Sequence, residues 1–71
     1  MTLLARALQS PYTAMTFATL SKHSTSPHGF DSRAALRLLR RNVRDVAPHV
    51  GFAVQHDIAR QLLNHWRNLG A

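Results

Sequence analysis

Residues 33–50 carry two side-chain patterns at helical spacing, and together these patterns constrain the fold more than any other feature of the chain. The first pattern is apolar and consists of Leu36, Leu39, Val43, Val46 and Val50. The second is basic and consists of Arg33, Arg37, Arg40, Arg41 and Arg44. At roughly 100° per residue, the arginines occupy an arc of about 100° beside the apolar arc. The pattern predicts a helix with one side against a core and the neighbouring side available to anions.

The chain has few acidic residues to neutralise these arginines. It contains nine Lys and Arg but only three Asp and no Glu, and its formal net charge is +6 at pH 7 with neutral histidines. Arginine suits phosphate because its planar guanidinium group donates hydrogen bonds to two oxygens at once. We therefore predict a nucleic-acid partner, with duplex DNA favoured over RNA. The five arginines of residues 33–44 are the predicted contacts to its backbone.

The length of 71 residues allows one small domain. The sequence predicts a helical segment over residues 1–21, a linker over 22–30 and a basic helical hairpin over 31–71. The expected fold class is all-α, a bundle of three to four helices. Since the chain has no cysteine, disulfides cannot stabilise it. A homodimer or a bound partner would add stability.

The N-terminal segment predicts a helix, a break and a second helix. Thr2 suits the N-cap of the first helix, and Ser10 followed by Pro11 suits the start of the second. The stretch from Tyr12 to Leu20 also has the alternation of a strand, because Thr, Tyr and Phe favour strands. Helix is the preferred interpretation, and strand is the alternative.

Signals for helix ends delimit the hairpin. Asp31 or Ser32 can cap the arginine helix, which is expected to end near Val46 because Pro48 disfavours a helical residue before it. Gly51 suits a tight turn. A last helix then places apolar residues on one face: Val54, Ile58, Leu62, Trp66 and Leu69. All five aromatic residues are predicted to pack in the core rather than to stack on bases: Tyr12, Phe17, Phe30, Phe52 and Trp66.

Residues 46–66 contain a local motif that reads Val-Ala-x-x-Val-Gly-Phe-x-x-Gln-x-x-Ile-x-Arg-x-Leu-x-x-x-Trp. This motif resembles the second helix-turn-helix of AraC-type transcription regulators. The resemblance implies that Ala47 and Gly51 let two helices cross closely, that Phe52 fills the turn, and that the following helix enters the major groove. It implies a helix-turn-helix-like C-terminal pair and these possible base-facing residues: Ala53, Gln55, His56 and Arg60.

Catalysis and metal binding find little support in the sequence. General acid–base chemistry needs paired titratable groups held in a cleft, and three scattered aspartates offer few. A metal site needs three or four converging ligands, whereas the histidines are dispersed. We predict that the protein is not an enzyme and has neither a cofactor nor a metal site. A small DNA-binding regulator is the favoured function.

Two other function classes are open. The first is a protein-binding adaptor or small subunit, such as a phage- or plasmid-type modulator of a host protein or a component of a larger complex, with an acidic protein as partner. Exposure of Leu4, Leu8, Tyr12 and Met15 would favour it, whereas burial of this stripe would favour a self-contained domain. The second is binding to a membrane surface, which is weaker because the apolar stripe beside the arginines suits a core.

Targeting signals are weak. No stretch of about 18 apolar residues occurs, so the sequence predicts no transmembrane segment. We expect a cytoplasmic protein. The first thirty residues lack acidic side chains and mix Arg6 and Lys22 with Ser, Thr and Leu, which is the composition of an organellar transit peptide. A retained targeting sequence would place the protein in an organellar matrix, but we assign this segment to the fold.

Overall fold

A computed structural model describes residues 2–23 and 32–69. Within these two ranges the chain forms four helices and no strand. The helices are α1 (Leu3–Gln9), α2 (Pro11–His23), α3 (Ser32–Val46) and α4 (Phe52–Leu69). The predicted all-α bundle is confirmed, as is helix over residues 12–20. Most of the predicted linker, with Phe30 and Asp31, lies outside the described residues, although α2 extends two residues past its predicted boundary.

The break between α1 and α2 forms where the caps predict it. The Thr2 hydroxyl accepts a hydrogen bond from the Ala5 amide at 3.1 Å, which satisfies one of the free donors of the first turn. Ser10 has an extended backbone, and its amide donates to the Ala7 carbonyl to end α1. Pro11 then occupies the first position of α2, where its missing amide hydrogen costs little.

Residues 12–20 are helical despite their content of strand-favouring side chains. The hydroxyl groups of Thr16 and Thr19 donate to the carbonyls of Tyr12 and Met15, each at 3.0 Å. These bonds satisfy the hydroxyls within the helix. Leu20 is 5% exposed and belongs to the core. Packing of the helix end in the core therefore outweighs the strand preference of these side chains.

The core lies mainly between α3 and α4, which make the most extensive helix packing, and α1 and α2 complete it. Its buried residues are Ala7, Leu20, Ala35, Leu39, Val43, Ile58, Ala59, Leu62 and Leu63. Leu39 and Leu62 are the largest side chains without exposed surface. The small side chains of Ala7, Ala35 and Ala59 are also fully buried, which allows close approach between helices.

The apolar stripe of the first two helices, which runs from Leu4 to Met15, is half-buried in α1 and exposed in α2. Leu4 and Leu8 are half-buried and pack against the core. Tyr12 and Met15 are 61% and 66% exposed. The first half of the stripe therefore packs within the bundle, which is the arrangement expected of a self-contained domain. The second half faces outward together with the exposed Leu38.

A partly buried polar pair that the sequence patterns did not reveal joins α2 to α3. Asn42 is 6% exposed, and its Nδ2 donates a hydrogen bond to the Thr16 hydroxyl at 2.7 Å. A buried amide without a partner would be costly, so this bond favours one register of α2 on α3.

Residues 47–51 connect α3 to α4. The amide of Ala47 donates to the Val43 carbonyl at 2.8 Å, and Pro48 follows, which confirms the predicted end of the helix at Val46. Ala47 is buried at the corner. A Cβ atom at Gly51 would meet nothing within 4 Å, and the residue has no left-handed φ angle. The expectation that Gly51 is needed for a close helix crossing or a special turn conformation is wrong.

The predicted burial of the aromatic residues is wrong for two of them. Tyr12 and Phe52 are exposed, because Tyr12 faces outward on α2 and Phe52 is the first residue of α4, where no preceding helical turn covers it. Ala47, rather than Phe52, is buried at the corner between α3 and α4. Phe17 and Trp66 are half-buried against the core.

Candidate nucleic-acid interface

Helix α3 directs its arginines away from the core. Four are exposed and Arg40 is half-buried, whereas Leu39 and Val43 on the other side of the helix are fully buried. This separation follows from the 3.6-residue repeat. We call the five arginines the arginine face: Arg33, Arg37, Arg40, Arg41 and Arg44. Because Leu39 and Val43 are used in the core, α3 offers no broad apolar stripe to a membrane surface.

A groove of about 360 Å³ lies between the arginine face and the beginning of α4. We call it the α3–α4 groove, and it is lined by Arg37, Arg40, Arg41, Arg44, Phe52 and Gln55. Its described lining contains no carboxylate. Four guanidinium groups on one wall therefore create a positive potential that attracts anions.

A second cavity of about 230 Å³ extends this basic surface toward the start of α3. Its described lining consists of Arg33, Leu36, Arg37, Arg40 and His56. Arg37 and Arg40 line both cavities. The basic surface thus follows α3 over about three turns, which is enough for several phosphates of an extended polyanion.

Phe52 and Arg40 contact each other across the α3–α4 groove. The guanidinium carbon of Arg40 lies 4.9 Å from the centroid of the Phe52 ring, which is a cation–π contact. One turn further along α4, the His56 ring lies nearly parallel to that of Phe52, with centroids 6.1 Å apart and an angle of 16° between the planes. Phe52 is still 66% exposed. A large apolar side chain therefore lies beside four arginines and is open to solvent.

The four predicted base-facing residues divide into two groups. Gln55 lines the α3–α4 groove and His56 lines the adjoining cavity, so the structure brings both to the arginine face. Ala53 and Arg60 are exposed on α4 but do not belong to the described lining of either cavity. The arginines predicted to contact the nucleic-acid backbone therefore share a cavity lining with two of the residues predicted to face bases, Gln55 and His56.

Both of these α4 side chains are already partly engaged. The Nε2 atom of Gln55 donates to the Val50 carbonyl at 3.0 Å, which ties the side chain to the loop before α4. This bond uses one amide hydrogen and leaves the other hydrogen and the Oε1 atom for a ligand. The Nδ1 atom of His56 is buried and has no hydrogen-bond partner among the described residues. His56 can therefore present only the other edge of its ring.

No group of three or more His, Asp or Glu side chains placed to hold a metal ion occurs among residues 2–23 and 32–69. None of the described helices combines the length and apolar character needed to cross a membrane.

Comparison with protein-family models, curated proteins and solved structures gives no match for this chain. The resemblance of residues 46–66 to AraC-type regulators therefore stays a prediction. The α3–α4 groove and the residues that line it are the features that bear on function.

Proposed function

We propose that the protein is a small DNA-binding regulator that binds the nucleic-acid backbone through its arginine face. One observation carries the proposal: four arginines line one groove with Phe52 and Gln55, and the described lining includes no carboxylate. Phosphate oxygens are the acceptors that a cluster of guanidinium groups binds best.

The residues that line the groove suggest two roles on DNA: some would bind phosphates and position the protein, and others would contact bases and read the sequence. Arg37, Arg41 and Arg44 are exposed and can bind phosphates, which fixes the position of a protein on DNA without reading sequence. Gln55 lies beside them and can bind a base edge, as Gln does with adenine in the major groove. Duplex DNA is the expected form because the helix-turn-helix resemblance directs the start of α4 into that groove.

Salt dependence of binding tests this proposal. Labelled duplex DNA and a fully paired duplex RNA of equal length would be titrated at about 50 and about 200 mM salt. The logarithm of the affinity for duplex DNA should fall with the logarithm of the salt concentration, with a slope of about 0.9 per phosphate contact. Duplex DNA should bind more tightly than RNA. Binding of both ligands no tighter than about millimolar at the lower salt concentration would contradict the proposal.

The base-contact residues should affect specificity rather than general affinity. A preferred site would first be selected from a random duplex library with the unmodified protein. Gln55→Ala and His56→Ala are each expected to lose about 1 to 3 kcal/mol of binding free energy at that site and little on random DNA. Quantitative binding isotherms on both duplexes would measure the difference.

Gln61→Ala is the matched control for Gln55→Ala. Gln61 is an exposed glutamine of the same helix, and its amide donates to the Asp57 carboxylate at 3.1 Å. It does not belong to the described lining of the groove. Equal losses at the preferred and random sites for Gln55→Ala would exclude a sequence-reading role.

A second candidate function, a protein-binding adaptor or small subunit, is favoured by the outward surface of α2. Tyr12, Met15 and Leu38 line a groove of about 270 Å³, and Arg41, which also lines it, suits an acidic partner. Light scattering after size exclusion, followed by affinity purification, tests this function. A stable monomer that recovers no protein partner would count against it.

A further inference from the structure

We propose that the α3–α4 groove binds an unstacked nucleotide, whose base stacks on Phe52 while its phosphate contacts the arginine face. This inference rests on the proposed nucleic-acid binding and specifies the form of the ligand. The preferred ligand contains an unpaired segment, such as a gap within duplex DNA.

The exposure of Phe52 is the first observation behind this inference. The side chain leaves a large apolar surface in water, and burying such surface in a complex is favourable. In a fully paired duplex the base faces already stack on one another, so the ring could reach only base edges. An unpaired base offers a free face, and every base has one.

The arginines that surround the ring are the second observation. Surfaces that bind single-stranded nucleic acid combine a positive groove along the backbone with aromatic side chains that stack on bases. The α3–α4 groove has both components, since four arginines and Phe52 form its walls. Its volume of about 360 Å³ lies within the range of pockets that hold small organic molecules.

The third observation is that the ring already has neighbours within the protein. Arg40, at 4.9 Å from the ring centroid, and the nearly parallel ring of His56 pack beside Phe52. Rigid aromatic side chains lose little conformational entropy when they bind.

Binding to paired and gapped duplexes tests the inference. Two DNA duplexes of the same sequence would be compared, one fully paired and one with a short gap in one strand, so that their phosphate content is nearly equal. The unmodified protein should bind the gapped duplex about 5- to 150-fold more tightly, since stacking of one base contributes a change of this size. Phe52→Leu should bring this ratio close to one.

Two further variants make the result specific to stacking. Phe52→Trp should retain the preference, and the fluorescence of the introduced indole should be quenched by the gapped duplex more than by the paired one. Val54→Ala removes another exposed apolar side chain of α4, outside the described lining of the groove, and should leave the ratio unchanged. Circular dichroism would verify that each variant is folded.

The possible outcomes separate this inference from the proposed function. Equal affinity of the unmodified protein for the two duplexes, or a preference that survives in Phe52→Leu, would overturn base stacking while leaving backbone binding in place. Failure to bind either duplex would overturn both.

Discussion

Combined replacement of Arg37, Arg41 and Arg44 by Ala should abolish most nucleic-acid binding and leave the fold nearly intact. All three side chains are exposed, and exposed charges contribute little to the free energy of unfolding. Each lost phosphate contact should flatten the dependence of affinity on salt by about one unit, or about three units in total. Binding isotherms at several salt concentrations and a thermal melt of the same variant would measure both effects.

A second triple variant controls for the change in net charge. Replacing Arg6, Lys22 and Arg67 by Ala removes three positive charges from exposed positions of α1, α2 and α4, outside the described lining of the α3–α4 groove. This variant should retain most of the salt dependence. If the arginine-face variant bound as well as the unmodified protein, the arginine face would be only a solvated surface and the adaptor function would be favoured.

Leu39→Ala should largely unfold the protein. Leu39 lies on the buried side of α3 and is fully buried in the core. Truncation of such a residue lowers the free energy of unfolding by about 2 to 5 kcal/mol. The free energy of unfolding of natural domains is only about 5 to 15 kcal/mol, and a domain of this length is expected near the lower end. Urea denaturation followed by circular dichroism would measure the loss.

The adjacent residue provides a matched control for this prediction. Leu38→Ala changes the same residue type in the same helix, but Leu38 is 38% exposed and Leu39 is 0% exposed. The cost should therefore be much smaller for Leu38→Ala. Equal destabilisation by the two substitutions would show that the assignment of the buried side of α3 is wrong.

The division of α3 into a buried side and a basic side was predictable because it depends on local geometry alone. A repeat of 3.6 residues separates Leu39 and Val43 from the arginines, and Pro48 marks the end of the helix. The caps at Thr2 and at Ser10 with Pro11 are local signals of the same kind.

The pairings between helices could not be predicted from these local patterns. Asn42 and Thr16 form a hydrogen bond across 26 residues, and no spacing in the sequence relates them. The contact between Arg40 and Phe52 likewise depends on how α4 lies against α3. The resemblance to AraC-type regulators implied that Phe52 fills the turn, but the orientation of α4 leaves Phe52 in solvent beside the arginines.

The central claim is that the arginine face and the start of α4 form the nucleic-acid interface, and an NMR titration with duplex DNA tests it most directly. We expect the largest shifts in the side-chain Nε–Hε signals of Arg37, Arg41 and Arg44 and in the backbone amide of Gln55, with little change at Met15. Shifts confined to the surface around Met15, or no shifts at saturating DNA, would contradict the claim.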